Sequence, residues 1–234
     1  MSEKIISYVA IFLAILLVMP AHEFAHAFVA YKCGDYTPKA RGRLTLNPFA
    51  HFDIVGLVML IVARFGWAKP VPINPYNFKH YKRDYFLVSI AGVTANLILA
   101  FIFYPILSLV TIALSNVGYA TTIGLLAKQL LQTTLLYVYV LNINLFVFNL
   151  IPVFPLDGFR VLEVICSKNP NNKLLTFLRR YGSMVLLVLI MINWLSEYIP
   201  LLSYVDIFGF VMNIFGYLLR FPIELFWDWI ISLF

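Results

Sequence analysis

Charge is scarce in this chain: of 234 residues, 12% are Asp, Glu, Lys or Arg, against 62% hydrophobic, and the mean hydropathy is +0.88. Too few polar side chains exist to coat a water-soluble globule, so lipid must be the solvent. Cysteine is nearly absent, and Cys33 and Cys166 form neither a CxxC pair nor a disulfide framework. Also missing is any basic helix with interleaved aromatics, which excludes a nucleic-acid partner and leaves the net charge of +6 to the loops between apolar runs. There is no internal repeat or low-complexity tract. Nor is there a short apolar leader: the first run, Ile5 to Ala30, exceeds the roughly 7 to 15 residues of a signal h-region and is expected to stay in the mature protein.

What is present is a series of long apolar runs. A bilayer core about 30 Å thick takes roughly 20 helical residues to cross, and Ile5–Tyr31, Tyr85–Leu114, Leu125–Leu150, Gly182–Leu195 and Val205–Arg220 are read as crossings. Phe221–Phe234, with Trp227 and Trp229, is expected along the interface. Ile54–Phe65 is too short to cross and is expected to be re-entrant, because basic residues flank it on both sides: Lys32, Lys39, Arg41 and Arg43 before it, and Lys69, Lys79, Lys82 and Arg83 after it. Uncharged Ser115–Thr122 and acidic Ser196–Asp206 then lie outside, so the chain starts outside and ends inside. Tyr36–Asn47, between Gly34-Asp35 and Asn47-Pro48, reads as a short membrane-associated β-hairpin. Three prolines keep Lys69–Pro75 from being a helix, and this loop is expected at the entrance to the site. The expected fold is an all-α integral membrane protein of about five transmembrane helices with a re-entrant segment and that hairpin. It forms one domain, 1–234, with a catalytic core over about 5–162 and C-terminal helices over 182–234.

The chain has four histidines, and two of them flank a glutamate inside a predicted span: His22-Glu23-Phe24-Ala25-His26. Residues four apart share a helix face, so both imidazoles can grip one ion. Glu23, one position on, is placed to act as general base without binding the metal, which is the logic of the HExxH zinc signature. An intramembrane charge is costly and therefore marks function by default. Two histidines leave a catalytic zinc site one protein ligand short. Asp157 is the favoured third ligand, because Pro152 and Pro155 end the preceding span and lead it back to the side of His26; an N-cap role is compatible with this. Glu163 is the alternative.

Four blocks, HEFAHAFVAYKCGD, GRLTLNPFAHFDIVG, GWAKPVPINP and FNLIPVFPLDGFRVL, occur in the order found in the site-2 protease family, and over Pro20–Leu162 the chain resembles that family's compact bacterial branch without a PDZ or CBS domain. The resemblance implies an intramembrane protease that cleaves membrane-spanning substrates with one zinc ion per chain. It places the family's HExxH on His22, Glu23 and His26, its LDG aspartate ligand on Asp157, and its FNLIP asparagine on Asn149, as a substrate-binding or oxyanion-binding group. Where relatives commonly read Ala-Gly-Pro, this chain has Ala91-Gly92-Val93, followed by Asn96 as a second substrate-binding candidate. His51 and Asp53, in NPFAHFD, are accessory candidates for a metal or proton-relay role, while His80 reads as an ordinary residue of a basic loop.

The expected partners are a transmembrane protein substrate, unwound at the cut and paired to the hairpin by β-augmentation, and the bilayer itself. The site should open toward the cytoplasm of a multi-pass cell-membrane protein. A metal-ion transporter would not need Glu23 beside the two histidines, and the outer half of the first span is apolar. An inactive membrane scaffold would not need the full ligand set. A prenyl-protein peptidase would take Glu163 as its third ligand.

Overall fold

The computed structural model describes residues 3–53, 55–56, 68–115, 117–118, 121–167 and 172–233. Its helices are α1 (Glu3–Lys32), α2 (Thr37–Ala40), α3 (Tyr81–Ser115), α4 (Thr122–Leu150), α5 (Asp157–Ile165), α6 (Lys173–Ser196) and α7 (Ile207–Ile231). Five of these, α1, α3, α4, α6 and α7, are long and apolar enough to cross a membrane. Apart from an isolated antiparallel bridge, Phe52 to Ala68, no β-strand occurs among the described residues.

The core is organised by stripes at a spacing of four. On α1 the buried residues include Ile6, Ala10, Ala14, Val18, His22, His26 and Ala30; on α3 they include Asp84, Val88, Gly92, Asn96 and Ala100. Rows of i, i+4 side chains are the ridges by which helices interdigitate, and alanine and glycine along them let the backbones approach closely. α3 runs antiparallel to α1, with Val88 beside His26. α4 runs parallel to α1, with Val138 in one cluster with Ala14 and Val18. The two histidines are thus part of the packing seam itself.

α7 runs antiparallel to α4. Phe208 packs edge-on against Phe148 with centroids 6.0 Å apart, while further along α7 Glu224 accepts from Tyr139 Oη at 3.0 Å and Asp228 from Tyr104 Oη at 2.8 Å. This corrects two expectations. Ser196–Asp206 lies at the same end of the bundle as Leu150, not at the end of the α3–α4 connection, and Asn193 ties α6 to it through Asp206 at 2.8 Å. Phe221–Ile231 is not an interfacial tail: it continues α7 through Pro222, because its acids find tyrosine partners on α3 and α4.

The expected hairpin over Tyr36–Asn47 is likewise replaced by local helix. Asp35 Oδ1 accepts from the Thr37 amide at 3.0 Å and hydroxyl at 2.6 Å, Pro38 supplies a helical φ, and Gly34 and Gly42 turn the chain at φ of 106° and 66°. The amides of Ala40, Arg41 and Arg43 are satisfied within the turn, leaving no ladder to build. Apart from Val55 and Gly56, the predicted re-entrant segment 54–65 lies outside the described residues.

Candidate metal centre

The inner turns of α1 carry His22, Glu23 and His26, all within regular helix. The chain leaves α4 at Leu150, turns through residues 151–156 and starts α5 at Asp157. That return is compact: a Cβ at position 158 would stand 2.3 Å from the Leu150 carbonyl oxygen, so only Gly158 allows it. Asp157 is the first residue of α5, with Leu156 at the cap position, so its carboxylate does not cap the helix.

It meets the histidines instead. Asp157 Oδ2 lies 2.9 Å from His26 Nε2 and 3.4 Å from His22 Nε2, and the two Nε2 atoms are 3.1 Å apart. Donors in a tetrahedral zinc site, with bonds near 2.0 Å, stand about 3.3 Å from one another, so this set fits one ion with little movement. All three residues are buried, at 6%, 3% and 6% exposure for His22, His26 and Asp157, and they form a group able to hold a metal. The fit extends to the tautomer. His26 Nδ1 is 2.7 Å from the Val88 carbonyl, where only an N–H can donate, which leaves the Nε2 lone pair for the ion.

Glu23 lines the same cavity of about 110 Å³ as His22, His26, Asp157, Asn149, Arg160 and the loop residues Pro70, Val71 and Ile73. Its Oε2 accepts from the Val71 amide at 3.1 Å, the one N–H in Pro70-Val71-Pro72. The loop itself is moored by Asp35, whose Oδ2 accepts from the Asn74 amide at 2.7 Å and whose Oδ1 accepts from Asn77 Nδ2 at 2.9 Å. The expected position of Lys69–Pro75 at the site is therefore found.

The other candidates divide. Asn149 borders the cavity, with its Nδ2 donating to Leu145 O on its own helix at 3.0 Å. Glu163 is committed elsewhere, accepting from Tyr85 Oη and Arg179. His51 is buried, with Nε2 2.9 Å from Thr45 O, Asp53 accepts from the Gly56 amide, and neither is part of the three-residue group. Asn96 is wholly buried on α3, and His80 is exposed. Sequence reasoning missed Gly92, whose position would put a Cβ 2.3 Å from His26 Nε2 and 2.6 Å from His22 Nε2, and Arg160, whose Nη1 lies 3.5 Å from Asp157 Oδ1. Only the second signal was available in the sequence, a cation three residues from Asp157 on a helix; that of Gly92 comes from packing.

A bundle of long apolar helices with a buried two-histidine, one-aspartate metal group beside a glutamate defines a multi-pass membrane metalloprotease. The chain belongs to Peptidase family M50, which it matches over residues 9–192, and is a zinc metalloprotease of that family. It is 42% identical over 186 residues to "Putative zinc metalloprotease YwhC" of Bacillus subtilis, covering 80% of this chain and 81% of that protein. It is 29% identical over 203 residues to "Putative zinc metalloprotease Rip2" of Mycolicibacterium smegmatis, covering 82% of this chain and 72% of the other. No solved structure matches it.

Proposed function

We propose that this protein hydrolyses peptide bonds in or near the transmembrane segments of other membrane proteins, with its site open to the cytoplasm. The observation that carries the reading is the convergence of His22, His26 and Asp157 beside Glu23 in one buried cavity at the end of membrane-length helices. His22, His26 and Asp157 would hold one zinc ion. Zinc supplies Lewis acidity, polarising a carbonyl and lowering the pKa of water from about 15.7 to about 7.

The chain's own groups do the rest. Glu23, fixed by the Val71 amide, accepts the proton of the attacking water and hands it to the leaving amine. Asn149, at the cavity wall, offers the second hydrogen on its Nδ2 to the scissile segment or its oxyanion, a contribution of about 3 kcal/mol at comparable sites. Pro70, Val71 and Ile73 wall the cavity on the side of Glu23.

The distribution of charge supports this orientation. Lys32, Lys39, Arg41, Arg43, Lys69, Lys79, Lys82, Arg83 and Arg160 all belong to segments at the site end of the helices, the distribution expected of a cytoplasmic face. The described flanks of 54–65 meet, with the Lys69 amide donating to His51 O at 2.7 Å and Phe52 bridging Ala68. The packing of α7 against α3 and α4 supports reading 1–234 as one domain.

The test compares wild type with Glu23→Gln, Asp157→Ala and Glu163→Ala for bound zinc and for cleavage of a transmembrane test peptide. Glu23→Gln should hold zinc without activity, Asp157→Ala should lose both, and Glu163→Ala should keep zinc. Full activity in Glu23→Gln refutes the mechanism.

A further inference from the structure

Several buried side-chain atoms have no hydrogen-bond partner in the protein, and three residues at one level of the bundle account for most of them: His22 Nδ1, both amide atoms of Asn96, and Asn142 Oδ1. Asn96 and Asn142 are both 0% exposed. In a helix seam facing lipid on its other side, such groups cannot turn to bulk water, and leaving them unpaired is costly.

The helix register brings these residues together. α3 is antiparallel to α1, and Val88 stands beside His26. One turn on, Gly92 touches the rings of His26 and His22. A further turn on, at the same spacing of four along the same buried stripe, is Asn96. α4 is parallel to α1, with Val138 against Val18, so one turn inward Asn142 is level with His22. Side chains lean toward the N-terminus of their own helix. His22 and Asn142 therefore lean away from the site end and Asn96 leans toward it, so all three converge on one level.

We infer that Asn96, backed by Asn142, is the outer partner of the metal ligand His22: through bridging water, His22 Nδ1–H is linked to Asn96 Oδ1, and Asn96 Nδ2 to Asn142 Oδ1, since none of these atoms bonds another protein atom directly. Asn142 Nδ2 already donates to Val138 O at 2.7 Å, which ends the chain of bonds with donors and acceptors matched. The chemistry is what a metal-bound imidazole requires. A histidine ligating through Nε2 needs its Nδ1–H held by an acceptor, which fixes the tautomer and ring plane. His26 has the Val88 carbonyl for this purpose. Asn96 does the same for His22, as a positioning residue.

This rests on the zinc reading of His22, His26 and Asp157, and the experiment separates the two. Full-length protein in detergent or nanodiscs is titrated with zinc against a competing chromophoric chelator, for wild type, Asn96→Leu, Asn96→Ala and Asn96→Asp, and the thermal stability of each metal-free form is recorded. Wild type that binds no stoichiometric zinc overturns the metal reading and this inference with it. Given a zinc-binding wild type, Asn96→Leu and Asn96→Ala should bind zinc about 10- to 100-fold more weakly. Asn96→Leu should leave the metal-free protein at least as stable, since it replaces an unpaired amide by an apolar side chain of similar size. Asn96→Asp, which keeps the acceptor, should bind at least as tightly as wild type. Wild-type zinc affinity in both Asn96→Leu and Asn96→Ala overturns the inference whatever happens to stability, because a packing asparagine would change stability alone.

Discussion

Replacing Gly92 by alanine sets two physical effects against each other and reads the metal site directly. In the middle of α3, Gly→Ala favours the helix by about 1 kcal/mol. The added Cβ, however, would lie 2.3 Å from His26 Nε2, 2.5 Å from His22 Cε1 and 2.6 Å from His22 Nε2, whereas ordinary contact starts at 3.4 Å. The atoms that must give way are the metal-binding nitrogens, by about 1 Å. Metal–ligand distances tolerate only about 0.2 Å, so the required shift is roughly five times what the ion can accept. Neither ring is free to retreat: His26 is held at Nδ1 by Val88 O, and both histidines are almost fully buried.

The overpacking cost, about 1 to 3 kcal/mol, opposes the helix gain, so metal-free Gly92→Ala should unfold within a few degrees of wild type. Zinc binding should fall by more than 100-fold, and cleavage with it. Zinc per chain after dialysis against a weak chelator, measured beside a metal-free thermal melt, checks both. Stoichiometric zinc with normal cleavage in a folded Gly92→Ala protein would show that the three residues do not form the metal site as drawn.

Three further outcomes follow from the same geometry. Val71→Pro removes the one amide that holds Glu23; a hydrogen bond to a charged group is worth about 1.5 to 3 kcal/mol, so kcat should fall about 10- to 100-fold while bound zinc stays stoichiometric, and an unchanged kcat would release Val71 from that role. Burial raises the pKa of Asp35, but donation from Thr37, Asn74 and Asn77 lowers it further, to a net value below the usual carboxylate; its contribution is therefore complete above about pH 4 and is lost as pH falls through the lower folded value, whereas Asp35→Asn should raise hydrogen exchange in 69–78 even at neutral pH. A topology reporter fused after Ser232 should report the side opposite one inserted at Leu201, since Ser196–Asp206 lies at the site end and α7 leads away from it; the same side for both would reverse the direction of α7.

The three residues of the buried metal-binding group were legible because each carries a local reason for its place. His22 and His26 share a face by spacing alone, and Asp157 follows prolines that end a helix and aim the chain back. What sequence reading missed depends on neighbours far along the chain: Gly92 matters because of rings some 66 to 70 residues away, and Val71 because of Glu23, 48 residues away. Two of the three misreadings have a common cause as well. Tyr36–Asn47 reads as a hairpin from its turn signals and Phe221–Phe234 as interfacial from its tryptophans, yet each was decided by carboxylates: Asp35 fastened the first into a turn, and Glu224 and Asp228 drew the second against tyrosines of α3 and α4. In a chain so poor in charge, each acid has few competitors for the donors near it, so where an acid finds its donor guides where the backbone goes. The same scarcity that marks the chain as a membrane protein makes Asp35, Asp157, Glu224 and Asp228 fixed points of its fold, Asp157 through the two imidazoles that meet it.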